Sequence, residues 1–184
     1  MRVFPRVLIY FGIFCLILAA FLYWQRTTPT RLQFDTERIE SSSVSSTNLE
    51  PSAIIIRDLA IELDIYPASI KSGKWEATSK GVSYLSSTPV PGEIGNSVIY
   101  GHNWKSILGN LVKAKPGQAI EILYSDGSMK KFEVKFTQVV TPDQTEILNQ
   151  TDDVRITLYT CTGFLDTKRF VVTAILSEDL DGIF

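Results

Sequence analysis

Histidine and cysteine are almost absent from this chain. Its 184 residues hold one histidine, His102, and two cysteines, of which Cys15 lies inside an apolar N-terminal run and Cys161 lies outside it. That scarcity excludes a disulfide framework within the polar part of the chain and a cage of thiolates and imidazoles around a metal. One thiol and one imidazole remain, the minimum for a cysteine nucleophile with one acid/base partner. Charge is also nearly balanced, with 18 Lys and Arg against 20 Asp and Glu and a formal net charge of -2, so there is no electrostatic case for a nucleic-acid partner. No internal repeat is visible at any useful period.

One feature is present in strength. Val7 to Trp24 runs 18 residues without a charged side chain. As a helix it is about 27 Å long, close to the ~30 Å hydrocarbon core of a bilayer. Arg2 and Arg6 precede it, and Tyr23 and Trp24 close it at the level where aromatic rings favour the interface. The expected arrangement over residues 1–26 is a single-pass membrane anchor, N-terminus in the cytoplasm and the rest of the chain outside. A cleaved signal peptide is the competing reading, against which stand the length of the apolar run and the lack of an A-x-A pattern. Residues 27–52, with SSSVSST at 41–47, read as a flexible, solvated stalk.

From about Ala53 to residue 184 the pattern is mostly of period two. Ile61, Leu63 and Ile65 alternate with Glu62, Asp64 and Tyr66, and Phe132, Val134 and Phe136 alternate with Lys131, Glu133 and Lys135. Asp126-Gly127 between Ile120–Tyr124 and Lys130–Phe136 predicts a tight hairpin. Further strands are expected at Ile54–Ile56, Ser97–Tyr100, Val154–Thr160 and Arg169–Leu176. Helix signals are short: Thr141-Pro142-Asp143-Gln144 reads as a capping box opening a helix through Leu148, and Trp104–Val112 has room for a turn or two. The fold class these patterns predict is mainly β, a single small β-barrel, closed or nearly so, with short helices and an N-terminal transmembrane helix.

On the strand that starts at Val154, alternation puts Val154, Ile156 and Leu158 on one face and Arg155, Thr157, Tyr159 and Cys161 on the other. If the strand from Arg169 returns antiparallel beside it, Cys161 and Arg169 lie opposite one another with Cβ atoms about 5 Å apart. A guanidinium there favours a thiolate and can donate to an oxyanion or a carbonyl. His102 follows the apolar strand Val98-Ile99-Tyr100 and a glycine, which places it at a strand end. Each of the three residues also has a plain structural reading: a surface arginine, a satisfied histidine, a small core hydrophobe.

Thr157-Leu158-Tyr159-Thr160-Cys161 resembles the TLxTC signature of sortases, membrane-anchored cysteine transpeptidases of mainly Gram-positive bacteria. The likeness extends to a histidine 59 residues before the cysteine, an arginine eight residues after it, the segment Pro91 to His102 and the N-terminal anchor. The resemblance implies an eight-stranded sortase barrel over residues 53–184. It also implies that Cys161 attacks the carbonyl of a sorting-signal peptide, His102 acts as general acid toward the leaving amine, and Arg169 holds the oxyanion or substrate backbone. The implied partners are a sorting-signal-bearing surface protein and an amine acceptor such as a cell-wall precursor or a pilin lysine. No cofactor is predicted. Some sortases bind calcium near the loop from Thr141 to Asp153, but Asp143, Glu146, Asp152 and Asp153 lack the spacing of a known calcium loop. Two other readings stand beside this one: a membrane-tethered binding module with an incidental thiol, and a cysteine peptidase that hydrolyses its acyl-enzyme. The residues do not identify the sortase class or the motif cleaved.

Overall fold

The computed structural model describes residues 4–27, 29–34, 49–71 and 73–177. The serine-rich run at 41–47 and the last seven residues lie outside them. The first element, α1 (Phe4–Thr27), is apolar around its whole circumference, and the side chains of Val7–Trp24 are exposed. A helix whose long run is apolar on every face, with its side chains exposed, is made for a nonpolar solvent.

Among the described residues ten strands follow: β1 (Pro51–Ile56), β2 (Ile61–Ala68), β3 (Ile70–Lys71), β4 (Lys74–Trp75), β5 (Val82–Leu85), β6 (Gly95–Gly101), β7 (Ala119–Tyr124), β8 (Met129–Val140), β9 (Val154–Thr162) and β10 (Lys168–Leu176). β3 and β4 form a small separate hairpin, and the other eight close a barrel in the order β1-β2-β5-β6-β9-β10-β8-β7. Closure removes the sheet edges. Most neighbours pair antiparallel, but β2 with β5 and β6 with β9 are parallel.

Alternation divides the apolar residues between two cores. Ile54, Ile61, Val82, Ile99, Ile122, Phe132, Ile156, Leu158 and Val172 fill the barrel, plugged at one end by Ile107, Leu108 and Leu111. A second cluster lies on the outer face of the wall made by β5, β6, β9 and β10, and includes Trp75, Leu85, Val98, Tyr100, Tyr159, Cys161 and Val171. Strands covered on both faces lose the period-two signature, so β6 is buried at all seven positions.

The Asp126-Gly127 hairpin forms as the sequence predicts: Gly127 takes φ +84°, and the Asp126 carboxylate accepts from the Ser128 amide at 2.9 Å. The helix expected from Thr141 to Leu148 does not. Gln144 Oε1 accepts from the Thr141 amide at 2.9 Å, as a capping box requires, but Thr141–Gln144 close a turn and only Thr145–Leu148 form a 3₁₀ turn. The reason is Asn96, whose side chain donates to the Ile147 and Asn149 carbonyls and so takes the segment's backbone acceptors for the barrel wall. Leu111–Lys113 likewise make only a 3₁₀ turn.

The solvated stalk expected over 27–52 does not describe Pro29–Phe34. Pro29–Leu32 form a 3₁₀ turn, and Leu32 and Phe34 are buried in the outer cluster. These residues are a strap laid along the barrel wall.

Leu158 is fully buried in the barrel. Leu158→Ala is expected to lower the unfolding free energy by about 2–5 kcal/mol, read as a lower denaturation midpoint of detergent-solubilised full-length protein in urea. Glu121→Ala removes only the surface pair with Arg57 and is expected to change stability by less than about 1 kcal/mol.

Candidate active site

Cys161, His102 and Arg169 are brought together by strand register. β6 and β9 run parallel with Gly101 beside Thr160, so the next residues along, His102 and Cys161, are neighbours across the two strands. Tyr100 and Tyr159 stack on the outer face at 5.4 Å, and His102 and Cys161, each two residues further, take that same face. On the other side of β9, Cys161 is paired with Arg169 of β10, as the sequence predicts. Thiol, imidazole and guanidinium therefore occupy one level of three adjacent strands.

Short-range devices hold that level. Thr160 Oγ1 donates to the Gly101 carbonyl at 2.8 Å, tying β9 to the end of β6 just before His102. Gly101 is tightly covered: a Cβ there would approach the Ile107 and Leu108 side chains at 3.1 Å, so these would have to give way. After His102 the chain turns at once, and the Leu108 amide donates to the His102 carbonyl at 3.0 Å. The Trp104 ring lies flat on the imidazole, with centroids 4.4 Å apart.

The three side chains are nearly inaccessible, at 3% exposure for Cys161, 5% for His102 and 3% for Arg169, and much of the cover is the strap. Cys161 Sγ donates to the Arg31 carbonyl at 2.9 Å. Tyr159 Oη donates to the Leu32 carbonyl at 2.9 Å, and Arg169 Nη2 donates to the Gln33 carbonyl at 2.9 Å. Three successive strap carbonyls are thus held by three residues of the wall. Phe34 meets the edge of the Tyr159 ring at 5.0 Å and lies under the Arg169 guanidinium, 5.9 Å away. Arg169 Nη1 is held by the carbonyls of Asp166 and Lys168, while its Nε–H is buried without a partner.

Asp166 fastens the strap. Its carboxylate accepts from Arg31 Nη1 at 2.7 Å with one oxygen and from Asn103 Nδ2 at 2.7 Å with the other, linking strap, β9–β10 loop and the residue after the histidine. Both Leu165 (φ 52°) and Asp166 (φ 60°) have left-handed backbone, a costly conformation for non-glycine residues.

Under this cover the proton inventory is set by burial. Desolvation pushes the Cys161 thiol up to about 11, the Asp166 carboxylate pushes it the same way, and Arg169 and Arg31 pull against them. Desolvation lowers His102, with Asp166 opposing. Near neutral pH the strapped site therefore holds a thiol and a neutral imidazole.

The register sets the three residues expected from sequence side by side, but the sequence does not show the wall around them. Trp75 of β4 and Tyr100 of β6 meet edge to face at 5.3 Å. Leu148, from the segment before β9, completes the cluster, with Ile147 packed against it. Tyr159 reads as a variable position in sequence, yet it is fully buried and its hydroxyl holds the strap. Asp166 had no sequence signal beyond its place in the loop after Cys161. Of the acidic residues between Thr141 and Asp153, Asp153 pairs with Arg155 and accepts from Thr151. Among the described residues, no group of three or more His, Cys, Asp or Glu is placed to hold a metal ion.

Comparison with known proteins gives the same family from sequence and from fold. A family model described as the sortase domain matches residues 54–177, more than half of the chain. Sortase A of Listeria monocytogenes is 28% identical over 156 residues, covering 79% of this chain and 68% of that protein. Among solved structures, the Clostridium perfringens sortase D5 transpeptidase superposes with a TM-score of 0.60 at 26% identity, over 70% of this chain and 79% of that one. A lid mutant of Corynebacterium diphtheriae sortase A gives a TM-score of 0.63 at 23% identity, over 89% of this chain and 97% of that one. With the family model spanning all eight barrel strands but the first three residues of β1, the chain belongs to the sortase family.

Proposed function

We propose that the protein is a cysteine transpeptidase that cleaves a sorting-signal peptide through a thioester and transfers the acyl part to an amine. The observation that carries this reading is the placement of Cys161, His102 and Arg169 at one level of β6, β9 and β10. In the proposed cycle His102 takes the Cys161 thiol proton, and the sulfur forms a bond to the peptide carbonyl carbon while an Arg169 N–H donates to its oxygen, supporting the developing negative charge. The buried, unpartnered Nε–H supports that role, because it is a donor with no acceptor in the strapped state. As the C–N bond breaks, His102 gives a proton to the leaving amine. An incoming amine then attacks the thioester, His102 takes its proton and passes it to the departing sulfur as the C–S bond breaks, and the thiol is released. The acceptor in this reading is a cell-wall precursor or a pilin lysine. These steps are supplied by the chain's own residues, and no metal or cofactor is assigned to them.

The proposed site of action is the outer surface of the cell membrane, with α1 as a single-pass anchor and its N-terminus in the cytoplasm. The strap then represents a resting state. Its carbonyls occupy the donors that a substrate backbone would use, and Leu32 and Phe34 fill the apolar wall.

Cys161→Ala is expected to abolish thioester formation and peptide cleavage, seen as loss of the acyl-enzyme mass. Unchanged cleavage would remove the enzyme reading in favour of a binding module. His102→Ala and Arg169→Ala are each expected to cost about 10²-fold or more in kcat/KM. Adding triglycine as the amine should yield a ligated product, whereas a hydrolytic peptidase would give only the free acid. The thiol's protonation tests the resting state. In the wild type the rate of Cys161 alkylation should keep rising with pH toward about 11. Leu32→Asp/Phe34→Asp, which evicts the strap, should move the midpoint down and speed alkylation at pH 8, because rehydration favours the thiolate and leaves Arg169 beside it. Superimposable curves would show that the strap does not govern the thiol.

A further inference from the structure

The strap begins almost where the apolar helix ends. From Trp24, the last residue of the apolar run, to Arg31, whose carbonyl sits on Cys161, there are seven residues. Fully extended, seven residues reach at most about 25 Å. A barrel of this size has a radius of gyration of about 14 Å and is roughly 35 Å across. A docked strap is therefore shorter than the body it holds, and the barrel's freedom to turn is limited. The end that carries Cys161, His102 and Arg169 must lie toward the surface from which α1 emerges.

What that end presents is apolar. Phe164, in the loop between β9 and β10, is 84% exposed, the most exposed large apolar side chain among the described residues, and Leu165 beside it is 50% exposed. These rings and methyls do not hang on slack chain. The Asp166 amide donates to the Gly163 carbonyl, the Thr167 amide to the Phe164 carbonyl, and the Asp166 and Lys168 carbonyls are held by Arg169. The backbone accepts a left-handed conformation at Leu165 and Asp166 in the same loop. The Asp166 carboxylate is bound to Arg31 of the strap itself. Lys168, also exposed, adds a cation two residues further on.

We propose that the β9–β10 tip, Phe164, Leu165 and Lys168, is a membrane-contact surface, and that the docked strap is a short tether that seats it on the lipid. Apolar side chains at the tip enter the interface, and Lys168 meets anionic headgroups. The proposal rests on α1 being a membrane anchor. Eviction of the strap lengthens the tether by the residues released, so the tip leaves the surface as the groove opens.

The test uses full-length protein in proteoliposomes of phosphatidylcholine and phosphatidylglycerol containing a lipid spin-labelled near the headgroup end of its acyl chain. Cys161→Ser removes the buried thiol while keeping a donor toward Arg31. An environment-sensitive fluorophore is placed on Cys15, within α1, or, in a Cys15→Ser background, on Thr167→Cys of the tip or on Ser128→Cys. Ser128 precedes β8, at the opposite end of that strand from Val140, the partner of Arg169. The expected result is lipid quenching at Cys15 and at position 167, several-fold above that at position 128. Quenching at 167 should fall toward the level at 128 in Phe164→Gln/Leu165→Asn, and also in Leu32→Asp/Phe34→Asp. Quenching at Cys15 with none at 167 would overturn the proposal and leave the anchor standing. No quenching at Cys15 would remove the anchor first. A tip shielded from aqueous iodide but untouched by the lipid quencher would mean a protein partner, and quenching indifferent to the strap would overturn the tether.

Discussion

The pairing of β9 with β6 on one side and β10 on the other is the constraint on which the rest depends. Cys161 alone is a buried thiol, His102 alone is an imidazole at a strand end, and Arg169 starts a strand. Parallel pairing with β6 sets Gly101 beside Thr160, and antiparallel pairing with β10 sets Arg169 beside Cys161. Because the side-chain period of a strand is two, a one-residue slip of either pairing would turn one of the three into the barrel interior. The interior resists that slip: Ile99, Ile156, Leu158 and Val172 pack there, and a one-residue shift would put side chains such as Tyr100, Thr157 or Thr173 in their places. Stability of the barrel and geometry of the site thus rest on the same contacts.

What was legible in the sequence follows from how locally each feature is specified. The Asp126-Gly127 hairpin, the strands flanking it and the pairing of Cys161 with Arg169 depend on short-range patterns and were readable. Val82–Leu85 was not, because all four residues are buried and a four-residue run carries no period. The helix after Thr141 was over-read because its capping signal is real but loses to Asn96, 51 residues away from Ile147 in sequence. The strap was illegible for a similar reason. Pro-Thr-Arg-Leu-Gln-Phe has no amphipathic pattern of its own, and its order comes from Trp75, Tyr100 and Tyr159, which belong to three different strands. Tertiary contacts of this kind leave no trace in composition.

The polar arrangement explains why cover and reactivity are opposed. A thiol that donates to a carbonyl must keep its proton, so the Cys161–Arg31 contact and the thiolate exclude one another. Desolvation acts the same way on His102. The strap therefore blocks the groove and also holds the pair in the protonation state least suited to attack. Arg169 answers differently, since its Gln33 acceptor is lost when the strap leaves and the Nη2 donor is freed toward the groove.

How firmly the strap holds can be weighed from its contacts. Burying Leu32 and Phe34 is worth about 3–6 kcal/mol in transfer terms, and the carbonyl hydrogen bonds with the partly buried Arg31–Asp166 pair add roughly 3–4 kcal/mol. Ordering six residues, Pro29 to Phe34, costs about 6–12 kcal/mol in backbone entropy. The sum lies within a few kcal/mol of zero, which is the range in which both docked and released forms are populated. Tethering decides how such a balance is tipped. A strap joined to the chain competes at an effective concentration of the order of millimolar, so a peptide in solution must bind the groove well or be abundant to displace it. In the proposed membrane-anchored arrangement, a substrate confined to the same membrane would meet neither difficulty, since confinement would raise its own local concentration near a site that the strap would hold within about 25 Å of the surface. On the proposed function, a strap near balance would discriminate by location, excluding dilute soluble peptides and yielding to those already held at the bilayer.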